Sequence, residues 1–302
     1  MPIIDKPARF LAIIESLLVT LIWGSSFIFI KVGLDDIGPL TMAGLRYFGA
    51  FVILLPFIVR RGKSLRSIPG RSWVRLFLIG FSGYTIGNGA LFWGLRYLPA
   101  TTVSFLMSMI PVLILFAGIL WLREIPTRWQ VLGVIVSLVG SSLFFSKGLE
   151  AGELFGFLIV AVGLFGFALF GILGRAAARE QRLDTLLLTA LPLAMGGGML
   201  LLIALPVEGL PTFTLVAWGI VLWLAVVNTA LAYMLYNHSL RILSALEMNI
   251  MLNLAPLVTA LLAWLLLDER LDMLQIGGIV TVILGVILVQ QARGRPAKGV
   301  AG

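Results

Sequence analysis

Long apolar runs alternate with short charged or Gly/Pro-bearing breaks along this chain, and each run approaches the ~20 residues that cross about 30 Å of hydrocarbon. The pattern predicts ten helices, over 10–32, 39–59, 73–95, 100–121, 128–146, 153–174, 185–205, 215–239, 245–266 and 273–291. Pro39 and Pro99 mark helix starts, whereas Gly196, Gly197 and Gly198 loosen the seventh run. The first run is too long for a signal-peptide core and no small-residue cleavage pattern follows it, so it is expected to be a retained span. Only short loops are expected between the later spans.

The apolar pattern also repeats. Residues 104–124, SFLMSMIPVLILFAGILWLRE, recur as residues 249–269, NIMLNLAPLVTALLAWLLLDE. Pro111 aligns with Pro256, Glu124 with Glu269, Gln130 with Gln275, Gly133 with Gly278 and Gly140 with Gly285, all at one unslipped offset. Five spans per copy is an odd number, which forces the two copies into opposite orientations. The expected fold is an all-α integral membrane protein with about ten transmembrane helices in a five-plus-five inverted repeat. The predicted units are residues 1–148 and 149–302, the second ending in a short basic tail.

Composition agrees with that reading: 60% of residues are hydrophobic and 12% charged, against roughly 45–50% and 25% in soluble domains. Lys and Arg fix the expected orientation. The side shared by the termini collects Lys6, Arg9, the basic stretch from Arg60 to Arg75, Arg123, Arg128, Arg175, Arg179, Arg182, Arg241 and the tail residues, while the other keeps Lys31, Arg96, Lys147 and Arg270. Both termini are therefore predicted to be cytoplasmic. The net charge of +8 suits anchoring against anionic inner-leaflet lipid, and no aromatic stacking pattern accompanies it, so no nucleic-acid partner is expected. Zero cysteines and the single His238 argue against a disulfide framework and a multi-histidine metal site.

Polar groups in hydrocarbon need a packing partner or a watery cavity. Ser104, Ser108 and Pro111 share one face of the fourth helix, and Asn249, Asn253 and Pro256 form the matching face of the ninth. Two bent helices lining a central cavity, or Ser/Asn glue between helices, both fit this stripe. The cavity is the reading taken, because two amides on one stripe are costly as packing alone. Tyr84, Asn88 and Phe92 on the third helix, Thr229, Tyr233 and Asn237 on the eighth, and Trp23 with Ser26 on the first extend the candidate lining. Such aromatic faces suit a flat or organic substrate. Trp73, Trp121, Trp129, Trp218 and Trp264 are expected in the interfacial belt.

Several charges have two readings. Glu247, three residues after Ser244, has capping-box spacing, taken ahead of a substrate or proton role. Glu15 is a candidate proton or cation carrier, or a carboxylate that snorkels. Arg46 is expected to pair with Asp35 or Asp36. Glu124 and Glu269 end their helices against the dipole and so call for a partner each, as gate residues beside the hinge prolines Pro111 and Pro256. No nucleophile elbow, HExxH, Asp-rich metal motif or Walker A sequence is present, so neither enzyme activity, cofactor nor ATP coupling is expected.

WGSSFIFIKVGL at 23–34, the run from Ala90 to Gly140 and its echo from Ala230 to Gly285 resemble the two EamA domains of the drug/metabolite transporter superfamily. The resemblance implies a carrier of the bacterial inner membrane, related to exporters of amino acids and other metabolites. Such carriers move solute by alternating access without ATP, some with proton coupling and some as facilitators. By position, Glu124, Glu269, Pro111 and Pro256 match the family pattern, while Glu247, Asn249 and Asn253 point to subgroup selectivity. The expected partners are a small-molecule substrate, the lipid bilayer and a coupling proton, in a monomer or homodimer. A lipid flippase or scramblase is the alternative from another class.

Overall fold

The computed structural model describes residues 6–33, 36–60, 68–94, 97–98, 100–146, 154–181, 183–209, 214–258, 261 and 272–291. Among them, nine helices are long and apolar enough to cross a membrane, and a tenth apolar helix, Ala245–Val258, is shorter. In chain order these are α1 (Lys6–Gly33), α2 (Pro39–Val59), α3 (Gly70–Gly94), α4 (Ala100–Met107 then Ile110–Ala117), α5 (Arg128–Phe145), α6 (Leu154–Glu180), α7 (Thr185–Glu208), α8 (Leu215–Ser239), α9 (Ala245–Val258) and α10 (Met273–Gln291). The predicted spans and the helices agree to within a few residues, apart from the interruption in α4 and the shorter described extent of α9.

Local chemistry sets the helix starts. Thr127 accepts from Gln130 N–H while the Gln130 side chain accepts from Thr127 N–H, and Asp272 and Gln275 make the same reciprocal pair at the head of α10. The duplicated glutamines are thus two copies of one capping device. Asp184 and Thr214 cap α7 and α8, and Ser244 with Glu247 forms a third capping box at α9. At the same end as Thr214, the Glu208 carboxylate closing α7 accepts from the N–H groups of Leu40 and Thr41 at 3.0 and 2.8 Å. A negative charge there suits the positive end of the α2 dipole.

The helices pack in matched pairs that exchange when one copy is swapped for the other. α3 lies against α6 and α7, as α8 lies against α1 and α2; α4 lies against α6, as α9 lies against α1. α2 pairs with α7, α4 with α9 and α5 with α10, each helix with its own equivalent. This is a pseudo-two-fold relation between the copies. It is tightest at α5–α10, where a Cβ on Gly133 would meet Gly285 O at 2.7 Å and one on Gly140 would meet Gly278 O at 2.9 Å. Because Gly278 is the equivalent of Gly133 and Gly285 of Gly140, the contact is isologous. Backbones approach this closely only over residues without side chains.

Large apolar side chains such as Phe10, Leu120, Leu158, Leu202 and Leu222 face outward, as a lipid solvent requires. Trp121, Trp129 and Trp218 are exposed as a belt position implies, whereas Trp73 is partly buried against the core; Trp264 lies outside the described residues.

Gly278→Ala should destabilise the fold by about 1–3 kcal/mol through overpacking at this crossing. Gly277→Ala, whose Cβ would enter open space, should be close to neutral. Thermal unfolding in detergent separates the two, and equal midpoints would remove the crossing as a stability determinant.

Candidate functional site

Pro111 has no N–H to offer the carbonyl four residues before it, and the next donor, Val112 N–H, turns to Met109 O at 2.9 Å. Ser108 O is thereby released inside the bundle, and α4 breaks at Ser108 and Met109. The Asn253 amide donates to that carbonyl at 3.0 Å from a position 145 residues away, its own repeat equivalent. Asn253 and Leu254 form the matching break in α9. The two interrupted helices therefore meet at their interruptions, on the pseudo-two-fold.

Two further irregularities flank this point. α3 carries a wide π-helical turn at Phe81–Gly87 and α8 carries one at Val226–Leu231, beginning at equivalent positions. Asn88, at the end of the first, donates its side-chain amide to Gly83 O at 2.8 Å. Asn228, inside the second, donates to Ile22 O at 2.6 Å, while its own carbonyl accepts from the Trp23 indole at 3.0 Å. Widened turns supply carbonyls that ordinary helix would consume, and polar side chains take them up.

Between these turns the aromatic rings converge. Trp23 lies 4.9 Å from Tyr233 and 5.7 Å from Tyr236, measured between ring centroids. Tyr84 meets Tyr47 at 4.8 Å and Tyr233 at 5.2 Å, and Phe170 stacks on Tyr236. Tyr47 faces Tyr233 edge-on at 6.5 Å, while Asn249 donates its amide to Ala245 O at 3.0 Å and lies with Tyr236 over Gly171 of α6. Trp23, Tyr84, Tyr233 and Asn249 are thus brought together. Asn88 is held beside them on its own helix, whereas Asn237 turns away to donate to Thr189 of α7 at 3.1 Å. Ser26 and Ser108 spend their hydroxyls on carbonyls three residues back. The side chain of Ser104 and all of Glu269 lie outside the described residues. Pro111 is buried and Pro256 partly so. Tyr47, Tyr236 and Phe170 belong to this group although their sequence pattern marked only apolar faces.

Charges gather at the end of the bundle that holds the start of α1 and the end of α10. Glu124 accepts from Arg175 Nε at 2.9 Å, and the same guanidinium donates to Leu240 O, joining α4, α6 and α8. Arg75 pairs with Glu180 at 2.7 Å. Glu247 completes its capping box and also receives Arg9, tying α9 to α1. Glu15 of α1 is buried against α8, with His238 Nδ1 at 2.8 Å and Ser239 Oγ at 3.0 Å. The partner that local sequence did not offer lies 223 residues away. Arg46 departs from the expected pair with Asp36: its Nε donates inward to Thr229 Oγ1 at 3.2 Å, while Asp36 accepts from Thr214; Asp35 lies outside the described residues. A shallow groove of about 500 Å³ on the flank of α3 and α6 is lined by Gly89, Ala90, Trp93, Tyr97, Phe155 and Ile159, and carries no charge.

Inverted copies, paired discontinuous helices and a polar-aromatic centre define a membrane carrier architecture. The EamA-like transporter family matches the chain twice, over residues 10–146 and 154–290, and the chain belongs to that family. An uncharacterized transporter of Archaeoglobus fulgidus is 30% identical over 90% of this chain and 94% of its own length. Protein PecM of Dickeya dadantii is 27% identical over 89% of each chain. The uncharacterized inner membrane transporter YedA of Escherichia coli K12 is 25% identical over 89% and 87%. A solved crystal structure shares the fold with a TM-score of 0.78 at 15% identity, covering 92% of this chain and 95% of its own.

The Arg175 contacts make the terminal end tight. In this cysteine-free chain, Leu240→Cys should react slowly with a maleimide, and adding Arg175→Gln should speed the reaction severalfold. An unchanged rate would show that the Glu124–Arg175–Leu240 junction does not hold that end shut.

Proposed function

We propose that the protein is a secondary carrier that moves a small organic metabolite, an amino acid or related compound, by alternating access without ATP. The observation that carries this reading is the junction of the two interrupted helices through Asn253 and Ser108. A symmetric pair of breaks lets each copy tilt about its own hinge, Pro111 or Pro256, so that opening at one end accompanies closing at the other. The substrate contacts are Trp23, Ser26, Tyr84, Asn88, Ser104, Ser108, Tyr233, Asn249 and Asn253, with Asn249 beside Tyr236 over Gly171 of α6, while Asn237 serves Thr189 instead. Glu124 and Arg175 latch the terminal end, and Glu269 is the counterpart of Glu124 by position. The setting is the bacterial inner membrane with both termini cytoplasmic and export as the direction. The lipid-translocation alternative gains little from the α3–α6 groove, since a charged headgroup would find no opposite charge in its lining.

Counterflow in proteoliposomes across a panel of amino acids tests the reading. Saturable exchange should appear for at least one solute, and Asn249→Ala combined with Asn253→Ala should lower it about tenfold or more. Parent-level exchange by the double variant would end the cavity assignment.

The coupling residue in this reading is Glu15, whose carboxylate faces His238 and Ser239 between α1 and α8. Imposing an inward or outward pH gradient should change exchange in the parent, and Glu15→Gln should remove that response while leaving equilibrium exchange measurable. A response that survives in Glu15→Gln assigns Glu15 a purely structural role.

A further inference from the structure

Three charged side chains are buried in the described structure: Glu15, Glu247 and Arg46. Glu15 has His238 and Glu247 has Arg9. Arg46 has no carboxylate within ion-pair distance among the described residues. It sits seven residues into α2, about 10 Å below the helix start at 1.5 Å per residue. There, Thr229 takes its Nε–H, and the guanidinium carbon lies 4.9 Å from the centroid of the Tyr47 ring. Neither neighbour balances a full positive charge. A buried cation without a counter-charge is expensive in a membrane interior, and arginine does not escape the cost by losing its proton. The fold does not demand the charge, because the equivalent positions in the second copy are Leu191 and Pro192.

We propose that Arg46 is the docking point for a carboxylate on the transported solute, with the adjoining tyrosines holding its apolar or aromatic body. This rests on the carrier reading above. The planar guanidinium presents five donors in a fixed fork, of which Nε is held by Thr229, so its Nη edge matches a carboxylate. Tyr47 couples that edge to the ring group, since it neighbours Arg46 in sequence, meets Tyr84 at 4.8 Å and faces Tyr233 edge-on at 6.5 Å. One monovalent cation amid neutral rings suits a monocarboxylate; a phosphate dianion would bring a second charge that nothing in the ring group answers. The π-helical turn of α8 contributes as well, because Thr229 lies within it and orients the guanidinium. Arg46 is thereby a binding residue, Thr229 and Tyr47 positioning residues.

The test uses the full chain purified in detergent, titrated with a series of aromatic and aliphatic monocarboxylates, 3-phenylpropanoate first, each beside its neutral primary amide. The unfolding midpoint reports binding, since a ligand of the folded state raises it by mass action. At least one acid should stabilise the parent saturably and bind roughly ten- to hundredfold more tightly than its amide, the range of a charge-assisted pair. Arg46→Gln should erase that difference, and Arg46→Lys should keep only part of it. Thr229→Val, which leaves the charge in place, should weaken the acid severalfold and the amide little, so the proposal stays testable if Arg46→Gln does not fold. The proposal is overturned if no acid outranks its amide in the parent, or if the preference survives in Arg46→Gln; should that variant not fold, full preference in both Arg46→Lys and Thr229→Val overturns it. Counterflow of the same acids separates the two readings. Exchange of neutral solutes with no Arg46 dependence leaves the carrier standing without this site, whereas Arg46-dependent binding without any exchange leaves the site and removes the carrier.

Discussion

Inside a bilayer a carbonyl released from its helix has no water to accept from, so every break must be repaired by protein. Here proline opens the ladder of α4, and the repair comes from the other half of the molecule, through the Asn253 amide on Ser108 O. That one bond explains why the two interrupted helices lie together and why the interruptions face each other. The rest of the centre follows the same rule. Asn88 and Asn228 each spend an amide on a backbone carbonyl near a widened turn, and Asn249 spends its own on Ala245 O. The polar residues of this core thus divide between repairing backbone and facing whatever enters.

Symmetry builds the frame and its violations mark the chemistry. The capping glutamines, the glycine crossing, the breaks and the π turns all recur at equivalent positions. Trp23, Glu15 and Arg46 do not recur, and each lies in the first copy facing α8 of the second. A duplicated scaffold can vary one copy at a time, because the packing of the other remains as it was. The asymmetric residues are then free to answer a substrate that has no symmetry of its own.

Much of the frame was legible in the sequence, because apolar run length, odd span count and an unslipped repeat are one-dimensional signals. Gln130 and Gln275 were matched as repeat equivalents, although Thr127 and Asp272 three residues before them already carried the capping-box spacing read at Ser244 and Glu247. The site was less legible. Asn249 and Asn253 stood out as costly amides, yet one serves a carbonyl of its own helix and the other a carbonyl across the pseudo-two-fold, which only three-dimensional placement reveals. Glu15 lacked a partner because His238 comes from a helix over two hundred residues on. Arg46 was matched to Asp36 by proximity in the chain, whereas its Nε reaches Thr229 of α8. The π turns leave no pattern of apolar spacing long enough to read, only a cluster of small residues in α3 that permits them.

The glycine crossing of α5 with α10 has a bearing on how such a molecule could arise. Each glycine of one helix abuts the non-equivalent glycine of the other, so the face is complementary to an inverted image of itself. A single five-helix copy already carries everything that contact needs. Two such copies, threaded into a membrane in opposite senses, would clasp through the same surface without any linker. The covalent joining of the halves then fixes a ratio and an orientation that the surface alone would leave to chance at insertion.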